Sequence, residues 1–189
     1  MAVSAGAYAV AWDGAGDAGA CLDTAGVPHL RLRRGDCTVA LVVAPHAELT
    51  RVLDRAFGVG DRVHSLTDLV RSVAGAQLAL LTNTVSAADL DPAARLLVTA
   101  AAAGTLPEIR AALDPLRAKP HLLDAVTTWL AAGCDTGAAA ARLHVHRNSL
   151  RYRLTRAEHL TGLSFATAHG TASLHLALLA DRLHDRLYD

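Results

Sequence analysis

The sequence of 189 residues has no excess charge of either sign, few aromatic residues and only three cysteines. Its 18 Lys and Arg residues balance 18 Asp and Glu residues, so any attraction to nucleic acid must come from local clustering rather than from net charge. Cys21, Cys37 and Cys134 lie far apart, in no metal-ligand spacing. We interpret them as reduced, structural thiols.

Long apolar runs and an export signal are also missing. The N-terminal segment lacks the basic stretch of a signal peptide, and Asp13 and Asp17 interrupt it early. No run approaches the roughly 20 apolar residues that span a bilayer. With 52% hydrophobic residues the chain still has ample material for a core. We therefore expect a soluble, cytoplasmic protein with two folded units and no membrane partner.

The first half of the chain predicts a small sheet with helices. Residues 3–12 alternate weakly, as a strand does, and a hairpin follows around a Gly35-Asp36 turn. Its first strand, with Leu30 and Leu32, should be half exposed, and its second, Thr38 to Val43, buried on both faces. Two helices are predicted next, with Leu49, Val52, Leu53 and Phe57 on one and Leu66, Leu69, Val70 and Val73 on the other. The order predicts an α+β layer with helices on one side of the sheet.

Nothing in this half predicts catalysis. The segment Gly58–Asp61, GVGD, has neither a GxGxxG pattern nor the Lys of a P-loop, so we interpret it as a Gly-rich link between a helix and a strand. Asp54, Asp61 and Asp68 are too scattered to predict a metal site for nucleotide chemistry. We expect no catalytic residue, no metal and no cofactor.

The chain is predicted to divide at residues 90 and 119. Residues 91–119 contain two short Ala-rich helices broken between Gly104 and Pro107, which is typical of a connector. The prediction is an α+β domain at 1–90, a helical connector at 91–119 and an all-α domain at 120–189.

The second half predicts three helices in a helix-turn-helix arrangement. The first carries an apolar face and ends at Gly133; the face consists of Leu122, Leu123, Val126, Trp129 and Leu130. A small Ala-rich helix, Gly137 to Leu143, follows, with Asp135 or Thr136 available as its cap. Leu143 and Val145 should face inward in the turn, and the chain should re-enter a helix near His146 or Arg147.

The third helix separates an apolar side from a donor side. At about 100° per residue, Leu150, Leu154, Ala157 and Thr161 fall on one side. Polar residues lie on the opposite side or beside it; they are Asn148, Ser149, Arg151, Tyr152, Thr155 and Arg156. These side chains have the donors that bond base edges and phosphates. An ordinary amphipathic surface helix would show the same spacing.

Residues 122–162 resemble the C-terminal helix-turn-helix domain of the PucR/CdaR family of bacterial transcriptional regulators. The run HVHRNSLRYRL is nearly a full match to the family's signature. The resemblance implies that Arg147, Ser149 and Arg151 contact DNA. Further residues expected at the DNA are Thr136, His146, Asn148, Tyr152 and Arg153.

Two other points follow from the resemblance. The segment RAFGVGDRVHSLTDLVRSVAGA looks like the late strand and helix of a degenerate GGDEF-like domain, without the GGDEF motif that would hold a cyclase's metal. Gly137 stands where the family has a Ser that caps the second helix, and Cys134 replaces a Gly. Both departures should weaken the contact of this helix with the phosphate backbone of DNA.

The sequence therefore predicts a regulator that binds double-stranded DNA as a homodimer, with a recognition helix at about 147–161 in the major groove. It does not identify an effector. Two alternatives stay open: a protein-interaction or dimerisation module, and a degenerate nucleotide-binding regulator without catalysis. A metal site at His144 and His146 is disfavoured, because the turn should place them on different sides.

Overall fold

The computed structural model describes residues 6–14, 18–34, 36–52 and 57–188. The chain divides into two units: unit 1 comprises Met1–Leu106 and Arg182–Asp189, and unit 2 comprises Pro107–Asp181. The α+β class is confirmed, because unit 1 contains a sheet and unit 2 is helical. The predicted domain boundaries at 90 and 119 stay predictions.

Unit 1 is built on a sheet that has four antiparallel strands among the described residues, in the order β2-β3-β1-β4. The strands are β1 (Gly6–Asp13), β2 (His29–Arg34), β3 (Cys37–Ala44) and β4 (Gly58–Val63). The predicted hairpin is confirmed, since Leu30 pairs with Leu41 and Leu32 with Val39. Residues 3–5 of the predicted first strand and Gly35 of the predicted turn lie outside the described residues.

In the part of the chain that the structure describes, two helices lie between the strands of unit 1, and the remaining helices follow β4. The helices are α1 (Ala18–Thr24), α2 (His46–Val52), α3 (Leu66–Leu81), α4 (Pro92–Ala103), α5 (Leu106–Arg110), α6 (Asp114–Arg117), α7 (Pro120–Ala131), α8 (Thr136–Arg142), α9 (Arg147–Thr161) and α10 (Ala168–Tyr188). Among the described residues, none of the helices combines the length and the apolar character needed to cross a membrane. Leu53 and Asp54 lie outside the described residues.

The sheet is covered by helices on both faces. On one face Val10 and Val42 pack against Leu22 of α1 and Leu49 of α2. On the other face Ala9 and its neighbours pack against Ala76 of α3. The prediction of helices on one side is therefore wrong. Strands β1 and β3 carry apolar side chains on both faces, and each apolar face requires its own cover.

The buried face of α3 differs from the one that the large apolar residues predicted. Leu66 is 86% exposed and Val70 is 46% exposed. The helix instead buries a side made mostly of small residues: Ser72, Ala74, Gly75, Ala76, Gln77, Leu78 and Ala79. Side-chain size did not decide burial here, because this side of α3 lies against the backbone of β4.

The two glycines of the GVGD segment explain that close approach. A Cβ atom on Gly58 would overlap the carbonyl oxygen of Ala76, and one on Gly60 would overlap that of Ser72. The Ser72 hydroxyl lies between the strands and the helix, donating to the Asp61 carbonyl at 2.6 Å and accepting from the Ala9 N–H at 3.0 Å. The segment is strand β4 itself, so its interpretation as a link between a helix and a strand is wrong.

The predicted connector is shared between the two units. Helix α4 packs on α3 in unit 1. The Asp91 carboxylate caps its start by accepting hydrogen bonds from the first free N–H groups of the helix. Gly104, whose φ is 74°, caps its C-terminal end. Leu113 and Leu116 belong to the core of unit 2. Neither part of the segment is an exposed linker.

Candidate nucleic-acid interface

An apolar core in unit 2 holds α7, α8 and α9 together. Its central side chains are Leu122, Val126, Trp129, Leu150, Leu154, Ala157, Phe165 and Leu174. The rings of Trp129 and Phe165 stack, with centroids 5.8 Å apart and planes inclined by 26°. Trp129 is a core residue, as its place on the apolar face of α7 predicted.

Helix α8 is capped by Asp135, which decides between the two candidates that the sequence offered. Its carboxylate accepts a hydrogen bond from the Ala138 N–H at 2.8 Å. Hydrogen bonds from the N–H groups of Ala138 and Gly137, with a smaller contribution from the charge of Arg147, hold the pKa of Asp135 below its usual value. Thr136 is the first helical residue and Gly137 the second, so the expectation that Gly137 occupies the cap position is wrong.

The turn between α8 and α9 is anchored in the core. Leu143 and Val145 pack against it, as predicted, and the Val145 N–H donates to the Ala140 carbonyl at 3.0 Å. Between them His144 adopts a left-handed conformation with φ of 53°. With this turn between them, α8 ends at Arg142 and α9 starts at Arg147.

Helix α9 begins at Arg147, and the ring of His146 is its cap. His146 Nδ1 accepts a hydrogen bond from the Asn148 N–H at 3.2 Å. A ring nitrogen that accepts carries no proton, so the proton of neutral His146 is on Nε2 in this arrangement. The side chain remains exposed beside the start of α9.

The predicted sidedness of α9 is present in the structure. Leu150, Leu154 and Ala157 are buried in the core, and Thr161 is half-buried. The predicted DNA-contacting residues on this helix line its outer surface: Arg147, Asn148, Ser149, Arg151 and Tyr152 are exposed, and Arg153 is half-buried. Thr136 is half-buried at the start of α8, so it lies on a different helix from the rest of the set.

Positive charge dominates the outer surface of α9. The sole acidic residue of the helix is Glu158, whose carboxylate accepts from the Phe165 N–H. Among the described residues, Arg151, Arg153 and Arg156 form no ion pair. Guanidinium groups without carboxylate partners are available to bond phosphates or guanine edges.

Two further cationic side chains and one histidine at this surface were missing from the predicted site. Arg156, Lys119 and His121 line a cavity of about 340 Å³ together with Ser149, Tyr152 and Arg153. The helical wheel placed Arg156 on the donor side, but no spacing rule connects it with Lys119 and His121, which lie at the start of α7. Only the packing of α7 beside α9 brings them together.

The structure places His144 and His146 on either side of Val145, in different conformations. Within the described ranges, no group of three or more His, Cys, Asp or Glu side chains could hold a metal ion. The three cysteines are free thiols, Cys37 buried and Cys134 exposed. Burial raises the pKa of the Cys37 thiol, which keeps it in the protonated, unreactive form.

Residues 122–180 match the family model of the PucR C-terminal helix-turn-helix domain. Unit 2 carries a PucR-type helix-turn-helix domain. Its second and third helices are α8 and α9, and α7 and α10 complete the matched segment. The GGDEF-like resemblance of the N-terminal half stays a prediction.

Two proteins of Bacillus subtilis strain 168 are similar to the chain in part. The purine catabolism regulatory protein is 40% identical over 62 residues, and the uncharacterized protein YsfB is 34% identical over 58 residues. These matches cover 33% and 31% of this chain but only 12% and 16% of the two relatives. The chain thus matches a small part of each relative's length.

Among solved structures, the chain is similar to the regulator of polyketide synthase expression from Bifidobacterium adolescentis. The sequence identity is 19% and the TM-score 0.43, over 97% of this chain and 83% of that one.

Proposed function

We propose that the chain is a DNA-binding transcriptional regulator whose PucR-type domain inserts α9 into the major groove. The observation that carries the proposal is that α9 has two different sides. Its apolar side is buried in the core, whereas its outer side carries hydrogen-bond donors and no free carboxylate. The name of the purine catabolism regulatory protein, a regulator, supports the same function. Such a protein acts in the cytoplasm and needs no catalytic site.

The proposed roles follow from the chemistry of each side chain. Arg147 and Arg151 form hydrogen bonds with guanine O6 and N7 or with a phosphate. Asn148 and Ser149, which have shorter side chains, form hydrogen bonds with base edges. Leu150 and Leu154 seat the helix so that its first two turns project from the domain. His146 and Tyr152 lie beside these residues at the surface.

The proposal includes a homodimer. Helix-turn-helix dimers read two half-sites about one helical turn apart, so the DNA site should be an inverted repeat with that spacing. Two copies related by a two-fold axis would present α9 to successive major grooves on the same side of the duplex.

In vitro selection from a random DNA pool tests this function. The chain should enrich an inverted repeat, and the enriched sequence would identify the operator. A pool that shows no enrichment over several rounds, at low as well as moderate salt, would overturn sequence-specific binding.

A second candidate function, self-association through unit 1, is favoured by a separate observation. Leu30 is 76% exposed and Leu32 68% exposed on β2, an edge strand of the sheet. They border an apolar groove of about 230 Å³ that Leu41, Leu69 and Val73 also line. A second copy of the chain is the occupant that the dimeric DNA reader requires.

Sedimentation of the full chain with and without the Leu32→Asp substitution tests that assignment. We expect wild-type dimers and variant monomers. A wild-type monomer, or a variant that dimerises equally well, would remove β2 from the dimer interface.

A further inference from the structure

A basic cavity lies beside the proposed DNA-reading surface of unit 2, where predicted contact residues of α9 meet residues at the start of α7 that were not predicted. It has a volume of about 340 Å³ and lies between the start of α7 and the flank of α9. Its lining consists of Lys119, His121, Leu122, Ser149, Tyr152, Arg153 and Arg156. We call this cavity the α7–α9 pocket.

The lining of the α7–α9 pocket contains donors and no carboxylate. Lys119, Arg153 and Arg156 supply three positive charges, and Ser149 and Tyr152 supply hydroxyl groups. Within the described part of the chain, none of the three cations forms an ion pair. Like charges brought together without a counter-charge repel one another, so an anion with several oxygens would stabilise the arrangement.

The pocket lies on one flank of the recognition helix. At about 100° per residue, Ser149, Arg153 and Arg156 project to one side of the buried Leu150 stripe, whereas Arg147 and Arg151 project to the other side. A helix lying in the major groove, about 12 Å wide, has a sugar–phosphate backbone along each flank. Each flank of α9 therefore carries cations that face one of the two strands.

We propose that the α7–α9 pocket binds a backbone phosphate of the DNA strand opposite to the one that Arg147 and Arg151 approach. This inference rests on the proposed function of α9. Lys119 and Arg156 hold the phosphate as charge partners, and the Tyr152 hydroxyl can donate to one of its oxygens. Because the phosphate carries no sequence information, the contact positions the helix without selecting bases.

The salt dependence of DNA binding tests the pocket directly. The full chain is titrated with its selected DNA site and with an unrelated duplex at several salt concentrations. Lys119→Gln and Arg156→Gln should each lower the slope of log K against log salt by about 0.9 and weaken binding to both duplexes by a similar factor. Lys119→Arg should restore the wild-type slope, and Arg71→Gln, at an exposed site in unit 1, is the charge-matched control.

Lys119 also offers a direct footprint, since it is the single lysine of the sequence. Acetylation of its side chain, measured by peptide mass spectrometry, should fall when the DNA site is added. Wild-type slopes in both Gln variants, together with unprotected Lys119, would overturn the phosphate assignment while leaving the function of α9 intact.

A titration with inorganic phosphate at constant ionic strength tells whether the pocket binds a DNA backbone phosphate or a small phosphorylated ligand. Phosphate that protects Lys119 from acetylation, combined with Gln variants that bind DNA normally, would assign the pocket to a small phosphorylated ligand and overturn the DNA contact. If the wild-type chain binds no DNA, the proposed function itself fails, and the backbone contact fails with it.

Discussion

The carboxylate of Glu158 accepts a hydrogen bond from the backbone N–H of Phe165, with 2.6 Å between Oε1 and the nitrogen. Glu158 is the acidic residue of α9, and Phe165 is the core residue that stacks on Trp129. The one negative charge of α9 is thus held by the loop that follows the helix, away from the start of α9.

Replacing Glu158 should destabilise unit 2 without changing its outer surface. Glu158→Ala leaves a part-buried N–H without its acceptor, which should cost about 1 kcal/mol of unfolding free energy. Glu158→Gln keeps an oxygen acceptor and should cost less. Urea unfolding of the two variants measures the difference, and equal losses would show that the hydrogen bond does not contribute.

The cap of α8 should make stability depend on pH. The pKa of Asp135 is lower in the folded chain than its ordinary value of 3.8, because its charged form accepts N–H bonds. The stabilisation is therefore present above about pH 4 and is lost as the pH falls through the folded pKa.

Thermal unfolding between pH 6 and pH 3 can isolate this contribution. The melting temperature of the wild type should exceed that of Asp135→Ala at pH 6, and the gap should narrow below pH 4. Asp135→Asn keeps a capping oxygen that does not titrate, so its advantage over Asp135→Ala should not change with pH. A wild-type gap that is constant over the whole range would contradict the account.

Glycines in the two units should respond oppositely to alanine. Gly58→Ala and Gly60→Ala place a methyl group against the α3 backbone, which cannot move easily, and each should cost about 1 to 3 kcal/mol or more. Gly137→Ala lies in an exposed helical turn, where its Cβ would lie 3.2 Å from Oδ1 of Asp135, a tight contact that the exposed carboxylate can relieve by a small shift. We expect it to stabilise the chain by about 0.5 kcal/mol. Chemical denaturation of the three variants checks the contrast.

Cys134 occupies a backbone conformation that favours glycine. Its φ is 65°, in the left-handed region. Cys134→Gly should relieve that strain, although glycine also raises the entropy of the unfolded chain. The net result should be a rise in unfolding free energy of about 0.5 to 1 kcal/mol. Cys134→Ala keeps the Cβ atom and should gain little, so similar melting temperatures for the two variants would argue against strain.

The helix-turn-helix was predictable from the sequence because its signals are local. The 3.6-residue period placed Leu150, Leu154 and Ala157 on the buried side of α9, and Gly133 marked the end of α7. The sequence also narrowed the cap of α8 to two candidate residues, of which Asp135 is the one observed. The association of Lys119 with Arg156 was not predictable, because it depends on how α7 and α9 pack.

Unit 1 was harder to predict because its packing depends on small residues. Leu66 and Val70 predicted the wrong buried face of α3. The helix instead buries the side that contains Ala76, because this residue approaches Gly58 closely. A hydrophobicity pattern cannot reveal such a contact, since both partners are nearly without side chains. For the same reason it did not reveal that α3 and the pair α1 and α2 cover opposite faces of the sheet.

The central claim, that α9 reads DNA through its outer face, is tested most directly by Arg151. Fluorescence anisotropy compares the affinity of the wild type, Arg151→Ala and the control Arg71→Ala for the selected DNA site at one fixed salt concentration. If Arg151 bonds a guanine, its loss should weaken binding by about 1 to 3 kcal/mol, and Arg71→Ala should bind as the wild type does. An Arg151→Ala titration that superimposes on the wild-type curve would contradict the placement of α9 in the major groove.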